Sequence, residues 1–122
     1  MKLRLLAAMI AACGAFTSPP TAKASGSQTG NSLWTYCQAP NGSPAWSLCV
    51  GYITGAADAF GAEEGIMKRS SFICEPPDTT VGQIVDVVKN DLRDRPQDRS
   101  FDAASLVWGA LSRAWPCPKN SN

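Results

Sequence analysis

The chain has 122 residues, enough for one domain, and its 11 basic and 10 acidic residues give a formal net charge of +1. It contains no histidine, and this excludes Ser-His-Asp and Cys-His catalysis as well as zinc sites built on imidazole. A core of this size is modest, so cross-links are expected to contribute to its stability.

The first 24 residues have the pattern of an export signal. Lys2 and Arg4 precede an apolar stretch of signal-peptide length that is too short to span a bilayer. Two processing routes fit: cleavage after Ala24 in a small-x-small motif, or lipidation of Cys13 after a lipoprotein signal of residues 1–12. Both routes predict a periplasmic protein, and only the second attaches it to a membrane.

The remaining chain is slightly acidic. Without residues 1–24 it keeps eight basic and ten acidic residues, a net charge of −2. This balance argues against a nucleic-acid binder or a polybasic membrane binder, because both need a clustered basic surface. Residues 25–32 are small and polar and are predicted to be a flexible leader, 33–117 a single domain, and 118–122 a tail.

Cysteine usage fits an exported domain. Setting Cys13 aside leaves an even number of cysteines, which predicts two disulfides with three possible pairings. No two of them are two to four residues apart, which disfavours a zinc site, and the sequence predicts neither a metal nor a cofactor. The four cysteines that remain are Cys37, Cys49, Cys74 and Cys117.

Apolar spacing of three and four residues predicts the first helices. A short helical turn is expected over 33–37. The first main helix is expected over 44–62, with Ser43 as its N-cap. Gly51 and Gly55 lower its helix propensity, which suggests the close approach of another helix. The glycines from Gly61 to Gly65 are expected to end it.

A long connection over 62–79 then leads to two further helices. The second is expected over 81–94, where Thr80 and Gln83 form a capping-box pattern and Asp91 pairs with Arg95. The third is expected over 101–115, capped by Ser100, and its buried stripe includes Trp108. Because no segment alternates like a strand, the predicted fold is all-α, a small disulfide-bonded bundle of three main helices plus the N-terminal turn.

The expected packing favours one disulfide pairing. If the main helices run up, down and up, Cys37 and Cys49 lie at one end, and Cys74 and Cys117 lie at the other. The pairing of Cys49 with Cys74 and of Cys37 with Cys117 stays open if the long connection doubles back.

The remaining polar and aromatic residues favour binding over catalysis. Asp58 is expected to be partly buried in a structural role, and no Gly-rich phosphate loop is present, so we predict that the protein is not an enzyme. Four tryptophans are many for this length. We expect most of them in the core, and the alternative is a partner or dimer surface.

Three runs of the sequence together resemble a known family. They are Cys49–Ala59, then Phe72–Pro77 with Thr80–Val88, and finally Arg95–Pro96 with Ala103–Leu111 and Trp115–Cys117. In order and spacing they resemble the Rap/Tai family of type VI secretion immunity proteins. The resemblance implies a small helical, disulfide-bonded periplasmic protein, often a homodimer, that binds and blocks a peptidoglycan amidase effector.

An inhibitor of this kind needs a shaped protrusion rather than a catalytic group. The connection from Glu63 to Ser71 is our candidate for it. The partner-binding residues proposed there are Glu63, Glu64, Met67, Lys68 and Arg69.

Two other functions fit the same composition. One is a small helical periplasmic stress chaperone of the Hde type, which exposes apolar surface when its carboxylates are protonated. The other is a structural envelope lipoprotein, which is favoured if Cys13 is lipidated.

Overall fold

The computed structural model describes residues 28–67 and 72–118, and these residues form an all-α fold without a β-strand. This confirms the predicted fold class. No helix within these two ranges combines the length and the apolar content that crossing a membrane requires. The helices are α1 (Gly30–Cys37), α2 (Pro44–Met67), α3 (Val81–Asp94) and α4 (Ala103–Ala114), with a short 3-10 turn at Pro96–Asp98.

The first helix is longer than the turn that the sequence suggests. Thr29 caps α1 by accepting a hydrogen bond from the Ser32 N–H at 3.3 Å, and the Ser32 hydroxyl accepts one from the Thr29 N–H at 3.0 Å. This reciprocal capping box fixes the start of α1. The flexible leader predicted over 25–32 is therefore wrong for residues 28–32, which are part of the fold.

The second helix begins where the sequence predicts and ends later. Gly42 has a φ of 81° in the turn before it, a backbone conformation that glycine adopts without strain. The Trp46 N–H donates to the Ser43 hydroxyl at 3.1 Å, so Ser43 caps α2. The helix then continues to Met67, and the predicted end within Gly61–Gly65 is wrong.

The last two helices follow their capping residues. α3 has the predicted bounds, and Thr80 and Gln83 form the predicted capping box. α4 begins at Ala103 rather than at residue 101, because Asp102 and not Ser100 is its N-cap. The Asp102 carboxylate accepts a hydrogen bond from the Ser105 N–H at 2.9 Å.

All four helices contribute to one apolar core, whose residues are Leu33, Cys37, Cys49, Ile53, Val85, Val88, Leu92, Ala103, Val107, Ala110 and Leu111. Two expectations about buried faces are wrong. Gly51 and Gly55 are exposed, and a Cβ at either would meet no described atom within 4 Å, so none of the described helices packs there. Trp108, expected in the buried stripe of α4, is 41% exposed.

Ion pairs link α3 to its neighbours. Asp91 does not form the predicted helix-surface pair with Arg95. Instead it accepts two hydrogen bonds from the Arg113 guanidinium, at 3.1 and 2.7 Å, and so joins α3 to α4. Arg95 pairs with Asp98 in the 3-10 turn at 3.1 Å.

Two disulfides tie the helix ends together. One joins Cys37 at the end of α1 to Cys49 near the start of α2, and the other joins Cys74 to Cys117. This is the pairing that the up-down-up packing favours. Since Cys74 follows α2 and Cys117 follows α4, the C-terminal ends of these two helices lie together.

Candidate protein-binding site

A cavity of about 240 Å³ opens between the C-terminal part of α2 and α4. Among the described residues, three aromatic rings and two carboxylates form its walls. We call these five residues the aromatic pocket: Phe60, Glu63, Glu64, Phe72 and Trp108.

The extension of α2 places three of these residues side by side. Phe60, Glu63 and Glu64 are spaced at i, i+3 and i+4, so they lie on one face of the helix. Had α2 ended near residue 61, Glu63 and Glu64 would have no helical backbone to align them with Phe60.

Phe72 forms a further wall of the pocket. Its N–H donates to Oε1 of Glu64 at 3.1 Å. The Phe72 and Trp108 rings meet edge to face, with centroids 6.0 Å apart and an interplanar angle of 66°. This is a favoured geometry for an aromatic pair. Phe72 is 58% exposed and Trp108 is 41% exposed, so the pair faces solvent.

The segment that carries Phe72 is fastened to the end of α4. The Cys74 N–H donates to the Trp115 carbonyl oxygen at 2.8 Å, and Ile73 forms an antiparallel bridge with Pro116. The disulfide between Cys74 and Cys117 adds a covalent link at the same place. The wall that Phe72 forms is therefore attached to both helices that border the pocket.

Further apolar and acidic groups surround the aromatic pocket. Ile66 and Met67 are exposed at the end of α2. A second cavity of about 100 Å³ shares Phe60 and Glu64 with the pocket and is also lined by Glu75. This end of the molecule thus combines exposed apolar side chains with carboxylates.

The structure places three of the five residues that the sequence suggests for partner binding. Glu63 and Glu64 line the aromatic pocket, and Met67 is exposed at the last position of α2. All three are helical, so the loop expected to begin at Glu63 is wrong for 63–67. Lys68 and Arg69 lie outside the described residues.

Sequence reasoning missed the three aromatic residues of the site. The predicted buried stripe of the last helix includes Trp108, and Phe72 belongs only to the runs that resemble the family. In the structure, the buried face of α4 is formed without Trp108, by Ala103, Val107, Ala110 and Leu111. The abundance of tryptophan also favoured a partner surface as the place of some of these side chains.

The other polar groups of note lie away from the aromatic pocket. Asp58 is exposed, which corrects the expectation of partial burial. Burial raises the pKa of the Tyr52 hydroxyl, and the charge of Asp102 raises it further. The Arg93 guanidinium donates a 2.8 Å hydrogen bond to Asp94 and lowers the pKa of that exposed carboxyl.

Comparison with known proteins gives one result. The family model for Rap1a immunity proteins matches residues 29–117, which is most of the chain. No curated protein and no solved structure matches this chain. An immunity family implies a binding role rather than a catalytic one. The chain belongs to the Rap1a immunity protein family.

Proposed function

We propose that this protein is exported to the periplasm and there binds and blocks a peptidoglycan amidase effector of type VI secretion. The observation that carries the proposal is the exposed Phe72–Trp108 pair on a disulfide-bonded frame. Large aromatic side chains at rigid, solvent-facing positions are typical of the residues that dominate protein interfaces. Membership of an immunity family supports a protein toxin as the partner.

Rigidity is the property that suits this surface to inhibition. Binding loses free energy when side chains and loops must be ordered in the complex. The end of α2 is helical and the segment after Phe72 is fastened to α4. Binding therefore has to order fewer groups of this surface. The frame therefore favours tight binding without any catalytic group.

The proposed contact surface centres on the aromatic pocket. Glu63, Glu64 and Met67 contribute from α2, and Lys68 and Arg69 follow in the chain. A stable cleft-blocking interface buries roughly 1,200–2,000 Å² in total. The pocket would form its centre, and the exposed end of α2 would extend it.

Export is a separate part of the proposal. Four cysteines joined as two disulfides suit an oxidising compartment. Mass spectrometry of the mature protein would distinguish cleavage after Ala24 from lipidation at Cys13. A full-length protein that retains residue 1 and stays in the cytoplasm would contradict export.

We also propose that the protein is a homodimer, as the family resemblance implies. Light scattering at several concentrations measures the mass directly. Leu48 is an apolar residue on a solvent-facing side of α2, at 57% exposure. If this face joins two copies, Leu48→Glu converts the dimer to a monomer. A monomeric wild-type protein at all concentrations would contradict the proposal.

The function is tested with a peptidoglycan amidase effector from the same genome, chosen from the reading frame next to this gene. The purified mature protein is added in steps to the amidase while peptidoglycan cleavage is measured. We expect activity to fall in proportion to the protein added and to vanish at an equimolar ratio. Full cleavage in the presence of excess protein would contradict the proposal.

Protection of cells provides the second measurement. Cells that receive the amidase in the periplasm are expected to lyse, and co-expression of this protein with its signal is expected to prevent lysis. Expression of residues 25–122 without the signal is the matched control, because it leaves the inhibitor in the cytoplasm. Equal survival with and without the signal would argue against action in the periplasm.

A further inference from the structure

We propose that the Cys74–Cys117 disulfide is a redox switch: a dithiol opens it while the protein stays folded, and this releases the segment that carries Phe72 from the end of α4. The effect of the switch on inhibition rests on the function proposed above. The exchange reaction itself can be tested without an amidase.

The two disulfides differ in burial. Cys37 and Cys49 are 1% and 0% exposed and belong to the apolar core. Cys74 is exposed and Cys117 is half-buried. Because an attacking thiolate must reach a sulfur atom of the disulfide, access governs the rate of exchange. The Cys74–Cys117 disulfide is therefore the one that a reductant in solvent reaches in the folded protein.

The apolar core does not include the exposed disulfide. Its buried residues come from α1, α2, α3 and α4, whereas Cys74 and Cys117 lie in the chain outside these helices. Opening their link therefore removes no buried contact from the core, and the Cys37–Cys49 disulfide continues to join α1 to α2. We expect the helical bundle to persist, at lower stability, when only the exposed disulfide is open.

The segment around Cys74 buries little apolar surface. Ile73 is the only residue of 72–78 that is not exposed. The noncovalent links of this segment to the end of α4 include the bond from the Cys74 N–H to Trp115 and the bridge between Ile73 and Pro116. Segments with few buried contacts open locally at a low cost in free energy. Without the disulfide, this segment is expected to detach more often and to separate Phe72 from Trp108.

The reductant that the switch requires is a dithiol, the class to which the cysteine pairs of thiol–disulfide oxidoreductases belong. One thiolate of the dithiol attacks Sγ of Cys74, the Sγ–Sγ bond breaks, and the sulfur of Cys117 leaves with the electron pair. The second thiolate then attacks the reductant's own sulfur in the mixed disulfide and releases Cys74. The dithiol loses two electrons and two protons and becomes a disulfide, and Cys74 and Cys117 become thiols.

Timed alkylation measures which disulfide opens. The purified mature protein is incubated with dithiothreitol without denaturant, free thiols are blocked with iodoacetamide at intervals, and mass spectrometry of proteolytic fragments locates the blocked cysteines. We expect Cys74 and Cys117 to be blocked together, at least about tenfold faster than Cys37 and Cys49. Equal rates for the two pairs, or faster blocking of Cys37 and Cys49, would overturn the inference.

Low concentrations of urea distinguish attack on the folded protein from attack after unfolding. Attack on the folded protein predicts a rate that is proportional to the dithiothreitol concentration and nearly constant below the unfolding transition. Attack after global unfolding predicts a rate that rises steeply with urea, because unfolding exposes much more surface. A steep rise for Cys74 and Cys117 would contradict a switch in the folded state.

Nuclear magnetic resonance measures the release of Phe72. The chain has four tryptophans, so its spectrum contains four indole N–H signals, and Trp108→Phe and Trp34→Phe assign two of them. In protein reduced and blocked only at the exposed disulfide, we expect the Trp108 signal to shift and the signal of Trp34, on α1, to stay.

Cys74→Ser with Cys117→Ser is the matched control for the blocking groups and should shift the Trp108 signal in the same way. An unchanged Trp108 signal would mean that the segment stays in place without the disulfide. Collapse of all four signals to unfolded positions would mean that the bundle does not persist. Either result rules out the switch.

The amidase separates this inference from the function on which it rests. We expect the selectively reduced protein to inhibit roughly tenfold more weakly, because binding must then order the segment again, and oxidised glutathione should restore inhibition. If the disulfide exchanges and the oxidised protein does not inhibit, the proposed function is wrong and the exchange chemistry stands. If both redox states inhibit equally well, the function stands and the switch is wrong.

Discussion

Two tryptophans in different parts of the helical bundle, Trp34 and Trp108, are used in opposite ways. In one part, which we call the closed end (Thr29, Gly30, Trp34, Arg99 and Asp102), polar and aromatic groups are bound to one another. In the other part, the rings of the aromatic pocket face solvent. Both parts carry tryptophan, so composition does not explain the difference.

At the closed end, backbone and side chains form a continuous set of contacts. The Gly30 N–H donates to the Phe101 carbonyl at 2.9 Å, and the Asn31 N–H donates to the Arg99 carbonyl at 2.7 Å. The Arg99 side chain stacks on Trp34, and its Nε donates to the Leu92 carbonyl at 2.6 Å. These interactions hold the start of α1 against the segment before α4.

At the aromatic pocket, the backbone is equally well held and the rings are not covered. The Cys74–Cys117 disulfide and the bond from the Cys74 N–H to Trp115 fix the frame. Phe72 and Trp108 nevertheless remain exposed. The comparison teaches that this end is rigid without being buried, which is what a binding surface requires.

The largest expected effect comes from removing the disulfide at the pocket. Its cysteines are 43 positions apart in sequence, and Cys74→Ser with Cys117→Ser is expected to lower the free energy of unfolding by about 2–5 kcal/mol. The reason is that the unfolded chain gains freedom when the link is lost. Urea unfolding measures the change. An unchanged midpoint would mean that the frame of the pocket does not depend on the disulfide.

The next largest effect is expected from a substitution that tests how tightly the closed end is packed. A Cβ at Gly30 would lie 2.9 Å from Cα of Arg99 and 3.0 Å from its carbonyl oxygen. Because these are backbone atoms that cannot easily move aside, Gly30→Ala is expected to destabilise the protein by about 1–3 kcal/mol. Thermal or urea unfolding measures it. A variant as stable as the wild type would show that the closed end is loosely packed.

Gly51→Ala is the matched control, and we expect it to change the stability in the opposite direction. Gly51 is exposed within α2, and a Cβ there would meet no described atom within 4 Å. Alanine in a helix interior is favoured over glycine by roughly 0.5–1 kcal/mol. The same unfolding measurement should therefore show a gain in stability. A loss would indicate that another surface packs against α2 in solution.

The smallest expected effect concerns the ion pair between α3 and α4. Asp91 and Arg113 approach to 2.7 Å, and the Arg113 side chain is half exposed. Pairs of this kind contribute about 0.2–1 kcal/mol. A double-mutant cycle with Asp91→Asn and Arg113→Gln measures the coupling directly. A coupling of zero would show that the two helices are held by apolar packing alone.

Local signals in the sequence predicted the fold well where they agreed with packing. Thr80 and Gln83 fixed the start of α3, and Ser43 fixed the start of α2. The end of α2 was misjudged because Gly61 and Gly65 lower helix propensity by only about 1 kcal/mol each. The helix nevertheless continues to Met67, and the Glu64 side chain near its end accepts a hydrogen bond from the Phe72 N–H.

The candidate site was less accessible to sequence reasoning, because its parts come from three separate segments. Phe60, Phe72 and Trp108 meet only when α2, α4 and the segment after α2 are assembled. Glu63 and Glu64 were found because they are adjacent charged residues near an expected loop. Helical periodicity assigned Trp108 to a buried face, since it does not resolve the edge of an apolar stripe from its centre.

The most direct test of the central claim measures how tightly two variants inhibit the amidase. Phe72→Ala with Trp108→Ala removes the exposed pair, whereas Phe101→Ala removes an exposed phenylalanine, 61% accessible, that does not line the pocket. Loss of interface residues that cost about 2 kcal/mol or more corresponds to roughly 30-fold weaker inhibition. We predict that loss for the double variant and wild-type inhibition for Phe101→Ala, with both variants folded. Inhibition by the folded double variant at wild-type strength would contradict the account.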